Sequence, residues 1–206
     1  IACDATILWT EFLYEKKIVT DPIWRQYDRD MVKSYAKGVL DIRDFCRKHA
    51  GAFRSIPEEK LHALAQEFAK KKIAPLIFPD GKKWVKNALQ ANIPACVLSA
   101  SAAFIVKPNA KLFGLTDAMG IELAFKDGFC TGEIVGIPTF QEGKVERLSQ
   151  RLAEAGIGFE DVLFFTDSRN DLPLAERAGY TVCVNPDAVL ESSARKNGWK
   201  VAEWKL

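Results

Sequence analysis

Val162-Leu163-Phe164-Phe165-Thr166-Asp167-Ser168-Arg169-Asn170-Asp171-Leu172-Pro173-Leu174 is the stretch that decides the fold. An apolar run climbs to Thr166 and stops, and two carboxylates, Asp167 and Asp171, follow four residues apart. A buried parallel strand that ends this way delivers its acids to the carboxyl edge of a sheet, where α/β proteins place their chemistry. Hard oxygen donors there suit Mg2+, which takes one or two carboxylates and keeps its other positions for water and phosphate. A calcium loop is a poorer match, because Arg169 stands where a ligand should be and Leu172 where the sharp-turn glycine should be. Taken alone, the stretch also reads as a strand, a polar turn and a helix start, since Asp and Asn favour turns for local reasons. The rest of the chain decides between these.

The chain has 206 residues, enough for one domain or one domain with a sizeable insert. A net charge of +2 gives no reason to propose nucleic acid. Lys70-Lys71-Lys72 reads as the solvated end of a helix. No apolar stretch is long enough to span a membrane and no signal peptide is visible, so no membrane partner is expected. The five cysteines lack C-x-x-C spacing, and a reducing cytoplasm fits them best. His49 and His62 lie on amphipathic patterns without partners and read as structural or exposed.

Working outward, residues 5–74 read as four helices without a strand. Asp21-Pro22 starts one of them and Gly38 closes it, Asp41 caps the next, and Ser55-Ile56-Pro57-Glu58 reads as a capping box for the fourth. Trp9, Trp24, Tyr27 and Tyr35 recur at helical spacing and are more often core than pocket. After Pro75 the style changes. A helix over Asp80–Gln90 should bury Trp84, Val85, Ala88 and Leu89, and a strand over Ala95–Leu98 ends in Ser99-Ala100-Ser101. A helix from Ala102 to Phe113, a hairpin of Ile121–Phe125 with Phe129–Ile134, and a helix opening at Glu142 follow. Strands over Thr181–Val184 and Lys200–Ala202 flank a helix from Asp187 to Asn197. Alternating strands and helices mean an α/β, Rossmann-like, doubly wound parallel sheet.

Three separated features then align. Ser99 follows a strand, Lys144 sits in a first helical turn, and Asp167 and Asp171 follow another strand. A hydroxyl, an ammonium and a carboxylate-bound Mg2+ converging on one point make a receptor for a phosphoryl group.

Together they resemble the haloacid dehalogenase superfamily in its phosphoserine-phosphatase-like branch. Ser99 in V-L-S-A-S stands at the family's second motif, Lys144 in E-G-K at the third, and Asp167 and Asp171 in F-F-T-D-S-R-N-D-L-P-L at the fourth. The resemblance implies a helical cap over 5–74 inserted into a core formed by 1–4 and 75–206. It departs at the first motif, D-x-D-x-T, whose first Asp is the nucleophile and which does not occur in this sequence. Ile1-Ala2-Cys3-Asp4 matches the entrance to the cap better than a degenerate first motif with Ala2 at the nucleophile position. The motif and its strand are therefore expected just upstream of Ile1. That strand lies in the middle of the family's sheet, and its loss would leave central strands unpaired.

The resemblance further implies a Mg2+-dependent phosphomonoesterase working through an aspartyl-phosphate. Asp167 and Asp171 would serve the metal, Asp171 would also orient Lys144, and Ser99 would bind a phosphoryl oxygen. Ser168 and Asn170 would shape the phosphate loop, Asp4 would meet a polar substrate group at the cap entrance, and Lys107 could meet an acidic one. The expected partner is a small phosphorylated metabolite of the phosphoserine or histidinol phosphate kind, for a monomer or homodimer. The alternative is a catalytically inactive relative that binds a phosphorylated ligand or partner.

Overall fold

The structure is a computed structural model and describes residues 5–206. It divides into two compact units, one taking the chain through Pro138 together with Leu206, the other running Thr139–Lys205.

The first unit begins with helices α1 (Ala5–Glu15), α2 (Ile23–Lys37), α3 (Ile42–His49) and α4 (Glu58–Phe68). Local signals set their ends. Asp21 Oδ1 accepts from the Ile23 N–H at the start of α2, and Gly38 closes α2 in the left-handed conformation at φ +73°. Asp41 caps α3 by accepting from the N–H groups of Arg43 and Asp44. The core of this unit forms around Trp9, which is fully buried. Phe68 and Phe104 meet its ring edge-on at 5.4 and 5.7 Å, a favoured aromatic geometry. The expectation that Trp9 is core holds, and Trp24, Tyr27 and Tyr35 pack half-buried against the same helices. Lys71 and Lys72 pair with Glu67 and Glu15, as suits a solvated helix end.

Helix α5 (Pro79–Gln90) leads to β1 (Val97–Ala102), α6 (Ala103–Lys111) and β2 (Ala118–Ile121), and then to the hairpin of β3 (Leu123–Lys126) and β4 (Phe129–Ile134). Strands β1 and β2 are parallel, and their register jumps from Leu98↔Met119 to Ala102↔Ile121. Ser99, Ala100 and Ser101 therefore bulge opposite the single residue Gly120. A Cβ at Gly120 would lie 2.7 Å from Ala103 Cα and 2.9 Å from the Ser101 carbonyl oxygen, so the bulge needs glycine beneath it.

The second unit contains α7 (Glu142–Ala155), β5 (Leu163–Thr166), α8 (Leu172–Ala175), β6 (Tyr180–Val184), α9 (Ala188–Asn197) and β7 (Lys200–Ala202). Its sheet is parallel in the order β5-β6-β7. Cys183, Leu190 and Ala194 are fully buried between β6 and α9. Among the described residues, β1 and β5 each have a strand on one side only.

Several expectations need correction. The strand at Ser99 runs on to Ala102, so Ser99 sits inside it rather than beyond its end. β2 is an additional strand, short and glycine-containing, that ends at Ile121, where the hairpin is expected to begin. The capping box at Ser55 does not form. Pro57 occupies the cap position, and the Glu58 N–H donates instead to the Gly128 carbonyl in the hairpin turn at 2.8 Å. Helix α5 buries no residue, with Trp84 47% and Leu89 42% exposed. His49, by contrast, is structural as expected: it is buried with Nε2 3.0 Å from Thr10 Oγ1.

Candidate active site

In the second unit the fold gathers Lys144, Asp167, Ser168, Asn170 and Asp171 around one loop. β5 ends at Thr166, and the chain turns through Asp167 and Ser168 into a single 3-10 turn, Arg169–Asp171, before α8. Ser168 caps that turn, its Oγ accepting from the Asn170 N–H at 3.2 Å and from Asn170 Nδ2 at 3.3 Å.

Asp171 is buried and both of its oxygens are engaged. Oδ1 accepts from Lys144 Nζ at 2.5 Å, and Oδ2 accepts from Thr166 Oγ1 at 2.8 Å. Lys144 is itself only 5% exposed. A buried ammonium survives only with such a partner. It comes from the first turn of α7, where a cation opposes the helix dipole, so local preference did not place it there.

Asp167 differs. Its side chain meets solvent, yet the surrounding protein desolvates the carboxylate. That desolvation and the nearby negative charge of Asp171 raise its pKa above the usual carboxylate range. Two acids in unequal settings thus stand four residues apart, Asp171 held by the protein and Asp167 exposed.

The loop is also held from its far side. Asp187 caps α9, its Oδ1 accepting from the N–H groups of Val189 and Leu190, while Oδ2 accepts from the Arg169 N–H at 2.6 Å. The Asp187 N–H donates to the Asp167 carbonyl at 3.0 Å. At the start of α7, Gln141 takes φ +48° and ψ −124°, a region open to glycine, and its Nε2 donates to Asn170 Oδ1 at 3.3 Å. Holding a residue with a Cβ there costs on the order of 1–3 kcal/mol.

Comparison with known proteins decides the family. The family model described as haloacid dehalogenase-like hydrolase matches residues 1–176. The chain belongs to that family. It falls in the phosphoserine-phosphatase-like branch and is a hydrolase of the phosphatase type. It is similar to a histidinol-phosphatase of Neisseria meningitidis serogroup C, at 34% identity over all of this chain and 94% of that protein. A phosphoserine phosphatase of Mycobacterium tuberculosis is 30% identical over 78% of this chain, and the match spans 52% of that longer protein. A solved structure from Bordetella pertussis Tohama I, of unknown function, shares 30% identity and a TM-score of 0.85 over 96% of this chain and 91% of its own. The haloacid dehalogenase-like fold is further evident in a phosphoserine phosphatase structure, with a TM-score of 0.67 at 18% identity over 96% of this chain and 85% of that one.

Within this family member, the remaining expected residues are placed as follows. Ser99 lies in the bulge of β1 in the first unit, where its Oγ accepts from the Ser101 N–H at 3.2 Å. Asp4 lies outside the described residues. Lys107, the candidate for an acidic substrate group, instead pairs with Glu122 at 2.9 Å. Sequence reasoning missed the roles of Thr166, Asp187 and Gln141. Only Asp187 carried a signal, as an acid just before an apolar helical pattern.

Among the described residues, no group of three or more His, Cys, Asp or Glu side chains is placed to hold a metal. The donor chemistry at Asp167 nevertheless suits a hard cation. It is a carboxylate at a strand's carboxyl end, the kind of hard oxygen donor that Mg2+ takes. No described helix is long and apolar enough to cross a membrane.

Proposed function

We propose that the chain is a Mg2+-dependent phosphomonoester hydrolase acting on a small phosphorylated metabolite through an aspartyl-phosphate. The observation that carries this is the buried Lys144–Asp171–Thr166 network beside the solvent-facing Asp167 at the end of a parallel strand. Asp167 would hold the metal, with Asp171 supporting it through water. The metal, when bound, supplies charge neutralisation at the phosphoryl oxygens.

The chain's own residues do the rest. Asp171 holds the Lys144 ammonium in a buried place, so a fixed positive charge stands ready for charge that develops on the transferring group. Asn170 binds back onto Ser168, which fixes the loop next to Asp167. Asn170 Oδ1 also accepts from Gln141, which ties the loop to the start of α7. Ser99 would hydrogen-bond a phosphoryl oxygen from the β1 bulge. Among the described residues β5 has a strand on one side only, and the other side would take a further parallel strand. Its carboxyl end would lie next to Asp167 and would carry the nucleophile and the acid–base carboxylate that the family places in D-x-D-x-T.

The helices over 5–74 would act as the cap. A small enclosed cavity there has Thr6, His49 and Ser101 as its polar lining and Phe45 and Phe53 among its apolar lining. Neither Lys nor Arg lines it, which favours a substrate whose leaving group carries no carboxylate. Admitting such a group requires a helix to draw back from β1, a movement that caps make. This supports histidinol phosphate, the substrate named for the Neisseria relative, over phosphoserine.

The test is hydrolysis of histidinol phosphate, phosphoserine and p-nitrophenyl phosphate by the full-length protein, with and without Mg2+. Release of phosphate from histidinol phosphate that needs Mg2+ and vanishes in Asp167→Asn is the expected result. Phosphate-ester binding without turnover in the full-length protein would give the inactive-relative reading instead.

A further inference from the structure

Two residues one helical turn apart, Gln141 and Lys144, reach two adjacent residues of the loop after β5. Lys144 meets Asp171 Oδ1, and Gln141 meets Asn170 Oδ1. The second contact is unusual in what supports it. Gln141 holds φ +48° and ψ −124°, where a Cβ is unwelcome, although glycine would occupy the position without strain. The turn needs this backbone shape, since the Gly143 and Lys144 N–H groups close it onto the carbonyls of Phe140 and Gln141. It does not need a side chain. A long amide at a glycine-type position is accounted for by what the amide does, and the contact in hand is with Asn170.

That contact fixes more than itself. An amide that accepts at Oδ1 from Gln141 must present Nδ2 on its other side, and there it meets Ser168 Oγ. Ser168 Oγ accepts from both Nδ2 and the backbone N–H of Asn170, so its own hydroxyl hydrogen is directed away from Asn170. Asn170 is 2% exposed, so its amide has no solvent to reorient in.

We propose that Gln141 is a positioning residue for phosphoryl binding: it sets the amide orientation of Asn170 and, through it, the donor direction of Ser168 beside Asp167. This rests on the phosphatase reading and assigns a function to a residue outside the family motifs quoted above.

Two substitutions in the full-length protein separate positioning from structure. Gln141→Gly removes the amide and relieves the backbone, so the thermal midpoint should hold or rise. Gln141→Glu keeps length and backbone demand but removes the donor, which turns the Asn170 amide around. The readouts are KM and kcat for p-nitrophenyl phosphate and Ki for inorganic phosphate. In both variants KM and Ki should rise together by about tenfold, the scale of one hydrogen bond to a charged group. Unchanged Ki in both variants overturns the assignment, and so does a Ki that rises only where the thermal midpoint falls. A wild-type protein that neither hydrolyses the ester nor binds phosphate overturns the phosphatase reading instead, so the two failures are distinguishable.

Discussion

Lys144 Nζ and Asp171 Oδ1 lie 2.5 Å apart with both side chains buried. Breaking such a pair from one side leaves the other charge stranded. Lys144→Ala should therefore cost about 3–5 kcal/mol of stability, far more than a surface lysine would. Replacing both partners, as Lys144→Met with Asp171→Leu, should recover most of that loss, because apolar side chains of similar volume do not need each other's charge. Activity should be absent in both variants. Urea denaturation of the set checks the energetics, and a double variant no more stable than Lys144→Ala would contradict them.

Gly120 bears on Ser99, proposed above to bind a phosphoryl oxygen. The bulge that carries Ser99 presses on it closely enough that a methyl group would meet the backbone at Ala103 and Ser101. Backbone cannot swing aside as a side-chain tip can. Gly120→Ala should cost about 1–3 kcal/mol by overpacking, and it should lower phosphate affinity through the displaced bulge. Gly136→Ala is a control with nothing within 4 Å of the added Cβ, although its φ of +70° carries a backbone cost. It should leave phosphate affinity unchanged. Equal affinity losses in the two variants would sink the argument.

Lys144 was legible in sequence because E-G-K matches the family's third motif, and the acids because strand ends and polar turns are local events announced within a few residues. The same logic found the caps at Asp41 and Gly38. What it missed was decided by tertiary contact. The four-residue strand β2, with Gly120 inside it, carries no periodic signal of its own and exists because β1 pairs with it. Periodicity gave α5 an apolar face but could not say what covers Trp84 and Leu89. Ser55-x-x-Glu58 has the pattern of a capping box, yet the hairpin carbonyl of Gly128 takes the Glu58 N–H. No sequence rule announces that Gln141 holds a positive φ, or that Thr166, the last residue of an apolar strand, spends its hydroxyl on Asp171.

His49 makes the first unit sensitive to acid. Burial drives its pKa down from 6.5 to about 4, so the ring is neutral at pH 7. Nε2 faces Thr10 from α1, and Asp28 Oδ1 from α2 lies 3.7 Å away. Below pH 6.5 the unfolded chain takes up a proton that the folded chain refuses until about pH 4. Stability is therefore complete above pH 6.5 and falls as the pH drops through that window, by about 2 kcal/mol at pH 5. The Asp28 carboxylate would reduce this loss by favouring the imidazolium. His49→Gln keeps a polar contact for Thr10 without titrating, so its stability should change less between pH 7.5 and 5 than that of the wild type. Parallel curves for the two proteins would show that His49 does not control the acid limb.

Asp187 tests whether the loop after β5 must be held from behind. One of its oxygens caps α9 and the other takes the Arg169 N–H. Alanine would remove both functions, and losing the cap alone costs about 1 kcal/mol. Asparagine separates them, because it caps a helix as well as aspartate does but offers a single acceptor oxygen. With that oxygen kept on Val189 and Leu190, its amide nitrogen faces the Arg169 N–H, donor against donor. Asp187→Asn should then melt close to the wild type while binding phosphate several-fold more weakly, on the scale of one charge-assisted hydrogen bond. Asp187→Ala should lose both stability and affinity. Wild-type phosphate affinity in Asp187→Asn would mean that the cap alone matters and that the Arg169 contact does not set the loop.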